Sequence, residues 1–503
     1  MDIKEKYNQF VRPGFVDNIA RIGIDAVFSS AKGDYLYYNE DRDKVFDFIS
    51  GYGTGLLGHN HPEMINCAKE MLERNVVFQG QRSVRKNAAV LADKLNEIMK
   101  ARTGRSFVFQ FANTGAEANE IALKHAFMEK ELLDQGLMEN LEHIRNALKA
   151  METDNGSDGI SEIEQKLEHN RKVIAEPKIL IGMVDGFHGK TNGTLKISYA
   201  SNLKSMLDYL NIGTVFINTN DIEELNRISE AFRREIYHFD ISDGHIEVSA
   251  LDYTPVIAYL AEPILGDGGV IELSPAFAQR MRAVCDEDHV PLIFDEIQCG
   301  MGRTGRFLAS EHLDAYADYY CFSKALGGAI SKNSVCAIAS ERFVRQFGFI
   351  HSSTFNEDDY SCGISCKALD MLFDNDSMMM KMCDEKGQLI HSELEKIRDR
   401  YPELIKEVRG KGLMQGFVID NTLSEHFKEL TDVQYINLVE GYLFKHGYRV
   451  GTTLTSGAVI RLEPSAYIQE EDIFRFMEVL STLGELIQNK QYETLVREVS
   501  GDA

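Results

Sequence analysis

The sequence predicts an α/β protein. A large domain with a mostly parallel central sheet, flanked by helices, is joined to a smaller α+β domain built from both termini. Three observations carry that prediction. Short apolar runs at 106–111, 179–184, 256–261, 290–294 and 317–322 are bounded by turn residues and separated by segments with helical periodicity, the pattern of strands buried on both faces of a parallel sheet. Several runs stop abruptly at polar groups, among them Asp185, Glu262, Asp295 and the pair Ser323-Lys324, and ligands of open α/β sheets sit outside the carboxyl ends of the strands. From about residue 360 the pattern shifts to helices with short strands, while residues 1–60 alternate short apolar pieces with glycine turns. The expected division is a small domain from 1–60 and 360–503 and a large domain from 61–359, with a helical hairpin inserted at about 129–175.

Composition narrows the function classes. The chain has 503 residues, 44% of them hydrophobic, ample for a large core and for two or three domains. A formal net charge of −24 argues against nucleic acid and anionic membranes as partners. The eight cysteines include no Cys-x-x-Cys pair, and Cys321 and Cys336 lie inside apolar runs, so they read as buried thiols in a reducing compartment. The N-terminus lacks the apolar core of a signal peptide, and no run approaches the length of a membrane span. The expected location is the cytoplasm.

Taken in order, residues 26–28, 35–38 and 45–48 suggest a small antiparallel layer. The glycine-rich stretch from Gly51 through Tyr52 to Pro62 allows close backbone approach. Its His59 and His61 have no third ligand at useful spacing, so no metal is expected. Helical periodicity covers 62–75 and 84–100. The strand at 106–111 then turns through Thr114-Gly115-Ala116 into another helix, and such a start offers free N–H groups and a favourable dipole to an anion. In the insertion, Leu137, Leu141, Ile144, Leu148 and Met151 share a helical face, Asn155 to Gly159 breaks it, and Ile160, Ile163 and Leu167 resume it. Phe187 and His188 follow the strand at 179–184, placed to cover a flat heterocycle by stacking. Residues 200–252 read as connecting αβ elements. Glu262 and Asp267 follow the strand at 256–261, and a helix at 275–288 leads to the central stretch, 290–332. There a carboxylate, Asp295, and a lysine, Lys324, end neighbouring runs. A lysine on the rim of a buried sheet loses its proton readily, as a Schiff-base lysine must, and a carboxylate beside it suits a pyridinium nitrogen. Gly300-x-Gly302-x-x-Gly305 also fits a dinucleotide fingerprint. That reading is declined because Asp295 and Glu296 would crowd a pyrophosphate.

Together these residues resemble one family. GLLGHNHPE, FANTGAEANEIALKHA, DGFHGKT, AEPILGDGG, IFDEIQCGMGRTG, FSKALGGA, HSSTF and VIRLEP stand in order between Phe48 and Tyr467. They are similar to motifs of the class III (ω-) aminotransferases, closest in flavour to the ornithine, acetylornithine and 4-aminobutyrate types. The resemblance implies the fold type I architecture of pyridoxal 5′-phosphate transferases. It also implies ping-pong transfer of an amino group from an amine or ω-amino acid to a keto acid, with 2-oxoglutarate the expected acceptor. Aminomutase, racemase and decarboxylase chemistry on the same scaffold are the alternatives.

The resemblance also implies roles. Lys324 would hold the cofactor aldehyde as a Schiff base, Asp295 would pair with the pyridine nitrogen, and Gln298 would lie near the ring hydroxyl. Thr114, Gly115 and Ala116 would bind the phosphate. Phe187 would stack on the ring with His188 beside it, and Glu262 would be a supporting carboxylate. Thr354 would reach the phosphate of the neighbouring subunit in a homodimer with shared sites. Arg461 would bind a substrate carboxylate, Asp267 would gate Arg461, and the loop around Tyr52 would shape the pocket. Three departures point to an outlying member with an unusual substrate entrance: Asn356 to Tyr360 replaces the usual Gly-Asn-Pro, Leu265 stands where glutamine is common, and the hairpin at 129–175 is extra.

Overall fold

The computed structural model describes residues 1–80, 82–151, 158–199, 212–242, 245–431, 433–453 and 457–500. Its organising element is a seven-stranded sheet in the order Phe107–Ala112, Ser334–Ala339, Tyr319–Phe322, Leu292–Asp295, Val256–Ala261, Ile179–Met183 and Gly213–Ile217. Ser334–Ala339 runs antiparallel to both neighbours, and the remaining pairs are parallel. The sheet is thus mostly parallel, as the sequence predicts. Four of its five inner strands are buried at every position, which is why they read as continuous apolar runs rather than as alternation. Alternate side chains feed two cores. Tyr320 and Phe322 join Leu292 and Phe294 on one face, while Tyr319 and Cys321 join Ile293, Leu260, Ala118 and Ile121 on the other.

The N-terminal segment forms two short helices, Ile3–Phe10 and Phe15–Ala20, which the sequence reading missed, and then an antiparallel layer of Phe28–Lys32, Tyr35–Tyr38 and Asp43–Asp47. Asp43–Asp47 pairs in parallel with Tyr448–Arg449. A further antiparallel sheet holds Ile405–Lys411, Met414–Ile419, Val459–Leu462 and Gly451–Thr452. The long helix Asp359–Arg400 connects the parts and bends at 374–377, where Asn375, Asp376 and Ser377 have left-handed φ values.

The insertion is larger than the expected hairpin. Gly115–Met151 is one helix running from the glycine turn outward, and Asp158–Ile174 returns beside it. Of the predicted break at Asn155 to Gly159, residues 155–157 lie outside the described residues. The expectation of connecting αβ elements over 200–252 needs correction: 200–211 lie outside the described residues, and after the helix Ile222–Phe232 comes an antiparallel ribbon, Arg234–Ser242 with His245–Tyr253. Its Ile236, Phe239 and Tyr253 close a separate core with Leu141, Ile144, Leu148 and Leu167. The apolar face of the ribbon is covered by helices distant in sequence, which local periodicity does not reveal.

The glycines at 300–305 form a buried turn that leads to a 3₁₀ turn, Ala309–His312, and not to an α-helix. His59 pairs with Asp47 at 2.9 Å and His61 stacks on Tyr467. Among the described residues no cluster of His, Cys, Asp or Glu could hold a metal, and no helix is long and apolar enough to cross a membrane.

Candidate active site

Neighbouring strand ends build the site. Asp295 ends its strand in register with Cys321, and the strand of Cys321 continues through Ser323 to Lys324. Acid and lysine therefore leave parallel strands at the same rim. Lys324 is held at φ 42, a left-handed conformation that costs a long side chain about 1–3 kcal/mol. Ser323 beside it is tied by its hydroxyl to Ser334 at 2.6 Å. Burial pushes the Lys324 amine below the usual lysine range, opposed most by the charge of Glu463. Among the described residues Nζ has no hydrogen-bond partner.

Asp295 is buried and carries an ordered shell. Its Oδ2 accepts from Asn119 Nδ2 at 2.7 Å and pairs with His188 Nδ1 at 2.8 Å, and its Oδ1 accepts from the Ile297 N–H at 3.0 Å. A carboxylate oxygen only accepts, so His188 Nδ1 carries the proton. The contact of His188 is thus with the acid, and the structure sets it behind Asp295. Glu262 follows the next strand over and Phe187 the one beyond it; Phe187 donates its N–H to Glu262 Oε1 at 2.9 Å, while Glu262 Oε2 accepts from the Gly266 N–H at 3.1 Å. Burial and the charge of Asp295 push the Glu262 carboxyl upward.

At the start of the helix Gly115–Met151, Glu117 folds back and takes the N–H groups of Asn113 and Thr114 at 3.0 and 2.8 Å. The Thr114 hydroxyl also donates to Glu117 Oε2 at 3.1 Å and accepts from the Glu117 N–H at 3.3 Å, so the N–H groups of Gly115 and Ala116 are what remain for an anion. Thr354 lies in an exposed turn after the short helix Phe347–Ile350.

Gln298 projects into the same rim. A Cβ on Gly266 would sit 2.2 Å from Gln298 Oε1, so only glycine admits that side chain there. Gln298 Nε2 donates to Glu463 Oε1 at 2.7 Å. Two residues earlier on that chain, Arg461 is almost wholly buried, paired through Nη2 with Asp267 Oδ1 at 2.8 Å and donating to the Thr452 carbonyl at 3.0 Å. Its guanidinium lies 4.9 Å from the centre of the Tyr52 ring. Asp267 is buried against the arginine rather than loose on the surface.

Sequence reasoning passed over Asn119, Glu117 and Glu463. All three stand inside motifs quoted above, but their contacts depend on helix rotation and strand facing. The four-residue step from Gly115 to Asn119 was a usable signal, since it puts Asn119 on the helix face that carries the glycine turn.

The residues fit a pyridoxal phosphate. His188 Nε2 and Asn119 Oδ1 are buried without partners, behind an acid that has oxygen lone pairs to spare. A free amine, an aromatic ring and an open helix start complete a set suited to an aldehyde, a heterocycle and a phosphate. A separate cleft of about 470 Å³, lined by Lys130, Tyr253, His289 and Arg342, lies where the insertion meets the opposite strand ends and includes none of these residues.

Comparison with known proteins agrees with this geometry. The sequence profile of the family described as Aminotransferase class-III matches residues 20–483. An acetylornithine aminotransferase of Gloeobacter violaceus is 28% identical over 444 residues, covering 87% of this chain and 90% of the relative. One from Methanocaldococcus jannaschii is 27% identical over 455 residues, covering 90% and 91%. The solved ornithine aminotransferase of Toxoplasma gondii superposes with a TM-score of 0.70 at 21% identity, covering 97% of each chain, which speaks to the fold alone.

Proposed function

Because the chain belongs to the class-III aminotransferase family and is a pyridoxal-phosphate-dependent transaminase, we propose that its donor is an ω-amino acid or amine reacting through a distal amino group, and that its acceptor is 2-oxoglutarate. The acetylornithine aminotransferases it resembles support this class of donor. The observation that carries it is the 2.8 Å ion pair between Asp267 and Arg461 on the rim that also bears Lys324 and Asp295. An arginine whose charge is already matched gives little to a donor carboxylate. Swinging Asp267 aside frees it for the second carboxylate of a keto diacid.

The bound cofactor supplies an electron sink for the bonds at the amine carbon. The chain's residues do the rest in this reading. Lys324 would hold the cofactor by its aldehyde, and its amine would carry the proton at the donor's amine carbon. Asp295, kept in place by Asn119 and His188, holds the pyridine nitrogen protonated. Phe187 covers the ring, Glu262 buttresses Phe187, Gln298 meets the ring hydroxyl, and Thr114, Gly115 and Ala116 take the phosphate. The large domain 61–359 carries these groups, and the small domain from 1–60 and 360–503 supplies Arg461. A second copy contributes Thr354, giving a homodimer with shared sites. Eight free thiols and the acidic composition suit the cytoplasm.

The test is a half-reaction screen on wild type and Asp267→Ala. Wild type is expected to favour donors whose α-carboxylate is remote from the reacting amine. The variant is expected to accept α-amino acids such as glutamate at least ~10-fold better relative to them. An unchanged donor and acceptor preference overturns the gate.

A further inference from the structure

We propose that Glu463 is a positioning residue of the transfer reaction: it fixes the amide of Gln298 and supplies Lys324 with a counter-charge. The inference rests on Lys324 as the cofactor lysine. Glu463 follows the strand Val459–Leu462 and is fully buried. A buried carboxylate is costly unless its oxygens are satisfied. Here Oε1 takes one hydrogen bond, from Gln298 Nε2 at 2.7 Å, and among the described residues Oε2 has no hydrogen-bond partner. No Lys, Arg or His lies within ion-pair distance among the described residues. A purely structural glutamate would not leave an oxygen open beside the reaction centre.

Three features give that open carboxylate a function. Residues two apart on a strand share a face, so Glu463 and Arg461 both face the rim. Gly53, at φ 87, closes over the group, and a Cβ there would stand 3.2 Å from Glu463 Oε1 and 3.7 Å from Gln298 Cγ. The second feature is the amide itself. Because a carboxylate only accepts, the nitrogen of Gln298 must face it, which excludes the flipped amide and leaves a second N–H hydrogen for an acceptor in the site. The third is the balance of charge around Lys324. The groups acting on it are Glu463, Arg461, Asp267 and Glu262, with Glu463 foremost. Arg461 is matched by Asp267; the buried Arg303, bonded to the Pro464 and Gly53 carbonyls, is a further cation acting on Glu463 from outside ion-pair distance, and Glu463 is the foremost charge acting on Lys324. It opposes the effect of burial, keeping the lysine able to hold a proton during transfer.

The test reads Lys324 directly and not through turnover. Full-length protein is stripped of cofactor, and its uptake of pyridoxal phosphate is followed by visible absorbance across pH, with mass-spectrometric labelling of Lys324 alongside. Only the unprotonated amine adds to an aldehyde, so uptake rises with pH through the lysine midpoint. Glu463→Gln keeps the shape and removes the charge, and its midpoint is expected to fall by about one pH unit. Glu463→Asp keeps the charge and is expected to stay with wild type. Should the Gln variant fail to fold, Glu463→Met serves as the neutral arm. A midpoint unmoved in the neutral variant, or moved equally in the Asp variant, overturns the proposal. Wild type that never links cofactor to Lys324 would remove the role of the lysine, and this inference with it.

Discussion

At the scale of single residues, the site separates groups that the chain itself aligns from groups that packing delivers. Asp295 and Lys324 were legible because each ends an apolar run and the runs become neighbouring parallel strands; strand order does the rest. Asn119 and Glu463 were not, because one reaches the acid from a helix flank and the other reaches Gln298 from a second sheet. The distinction predicts different mutational signatures. Asp295→Ala removes the charge itself and should lower kcat/KM by about 10³-fold or more, as loss of a preorganised charge does, measured in steady state with 2-oxoglutarate. Activity within about tenfold of wild type would refute the role. Asn119→Ala leaves Asp295 with its His188 and Ile297 contacts. It should cost roughly 1–3 kcal/mol of stability by stranding the His188 carbonyl and one lone pair of the acid, with a smaller fall in activity. Equal losses in the two variants would mean that the amide, not the acid, carries the charge-sensing part.

At the scale of elements, the strands and the glycine turn at Gly115 follow from pattern, whereas the insertion was legible only in part. Its helices show a clear 3.6-residue stripe, but the ribbon Arg234–Tyr253 becomes an element only because those helices cover Ile236 and Phe239. The join also buries a lysine. Lys130 stacks its ammonium 3.7 Å from the centre of the Tyr253 ring and sits 3.4 Å from Asp134, which is also bound by Lys178 and by the Tyr253 hydroxyl. Burial pulls its pKa down to about 8. The sign follows from linkage. Between about 8 and the ordinary lysine value of 10.5 the unfolded chain binds the extra proton and the folded one does not, so the contribution of this group to stability rises with pH across that window. Below pH 8 the charged form is carried at a cost of roughly 3 kcal/mol. Lys130→Met keeps the stem over Tyr253, and Asp134 retains Lys178. Urea melts from pH 7 to 10.5 should show the variant more stable than wild type at pH 7, with the gap closing as pH rises. A gap independent of pH would assign the effect to packing.

At the scale of the whole molecule, the distribution of apolar surface bears on how many chains make a site. Phe349, Ile350 and Phe355 are 79%, 70% and 60% exposed, and Val84 is 93% exposed, far more than isolated surface apolar residues require. The two segments belong together, since Phe78 packs its ring 5.4 Å from that of Tyr360, shortly after Phe355 in the chain. Thr354 is itself exposed and stands in the chain between Ile350 and Phe355. A two-fold partner laid on this patch would bury it on both chains at once and bring each Thr354 toward the other chain. Each protomer carries a net charge of −24, so association opposes long-range repulsion that salt screens over about 8–10 Å. A dimer formed through this patch should therefore tighten as salt is raised, while an interface held by ion pairs would loosen. Phe349→Glu with Ile350→Glu puts two carboxylates into the contact and should give monomers by light scattering, together with at least ~10-fold weaker cofactor retention. Leu132→Glu with Leu133→Glu, on the exposed face of the insertion helix, is the matched control and should alter neither. If the first pair stays dimeric and fully loaded, the subunits meet elsewhere and Thr354 serves no neighbouring site. If it becomes monomeric yet keeps its cofactor, the interface is right and the shared site is not.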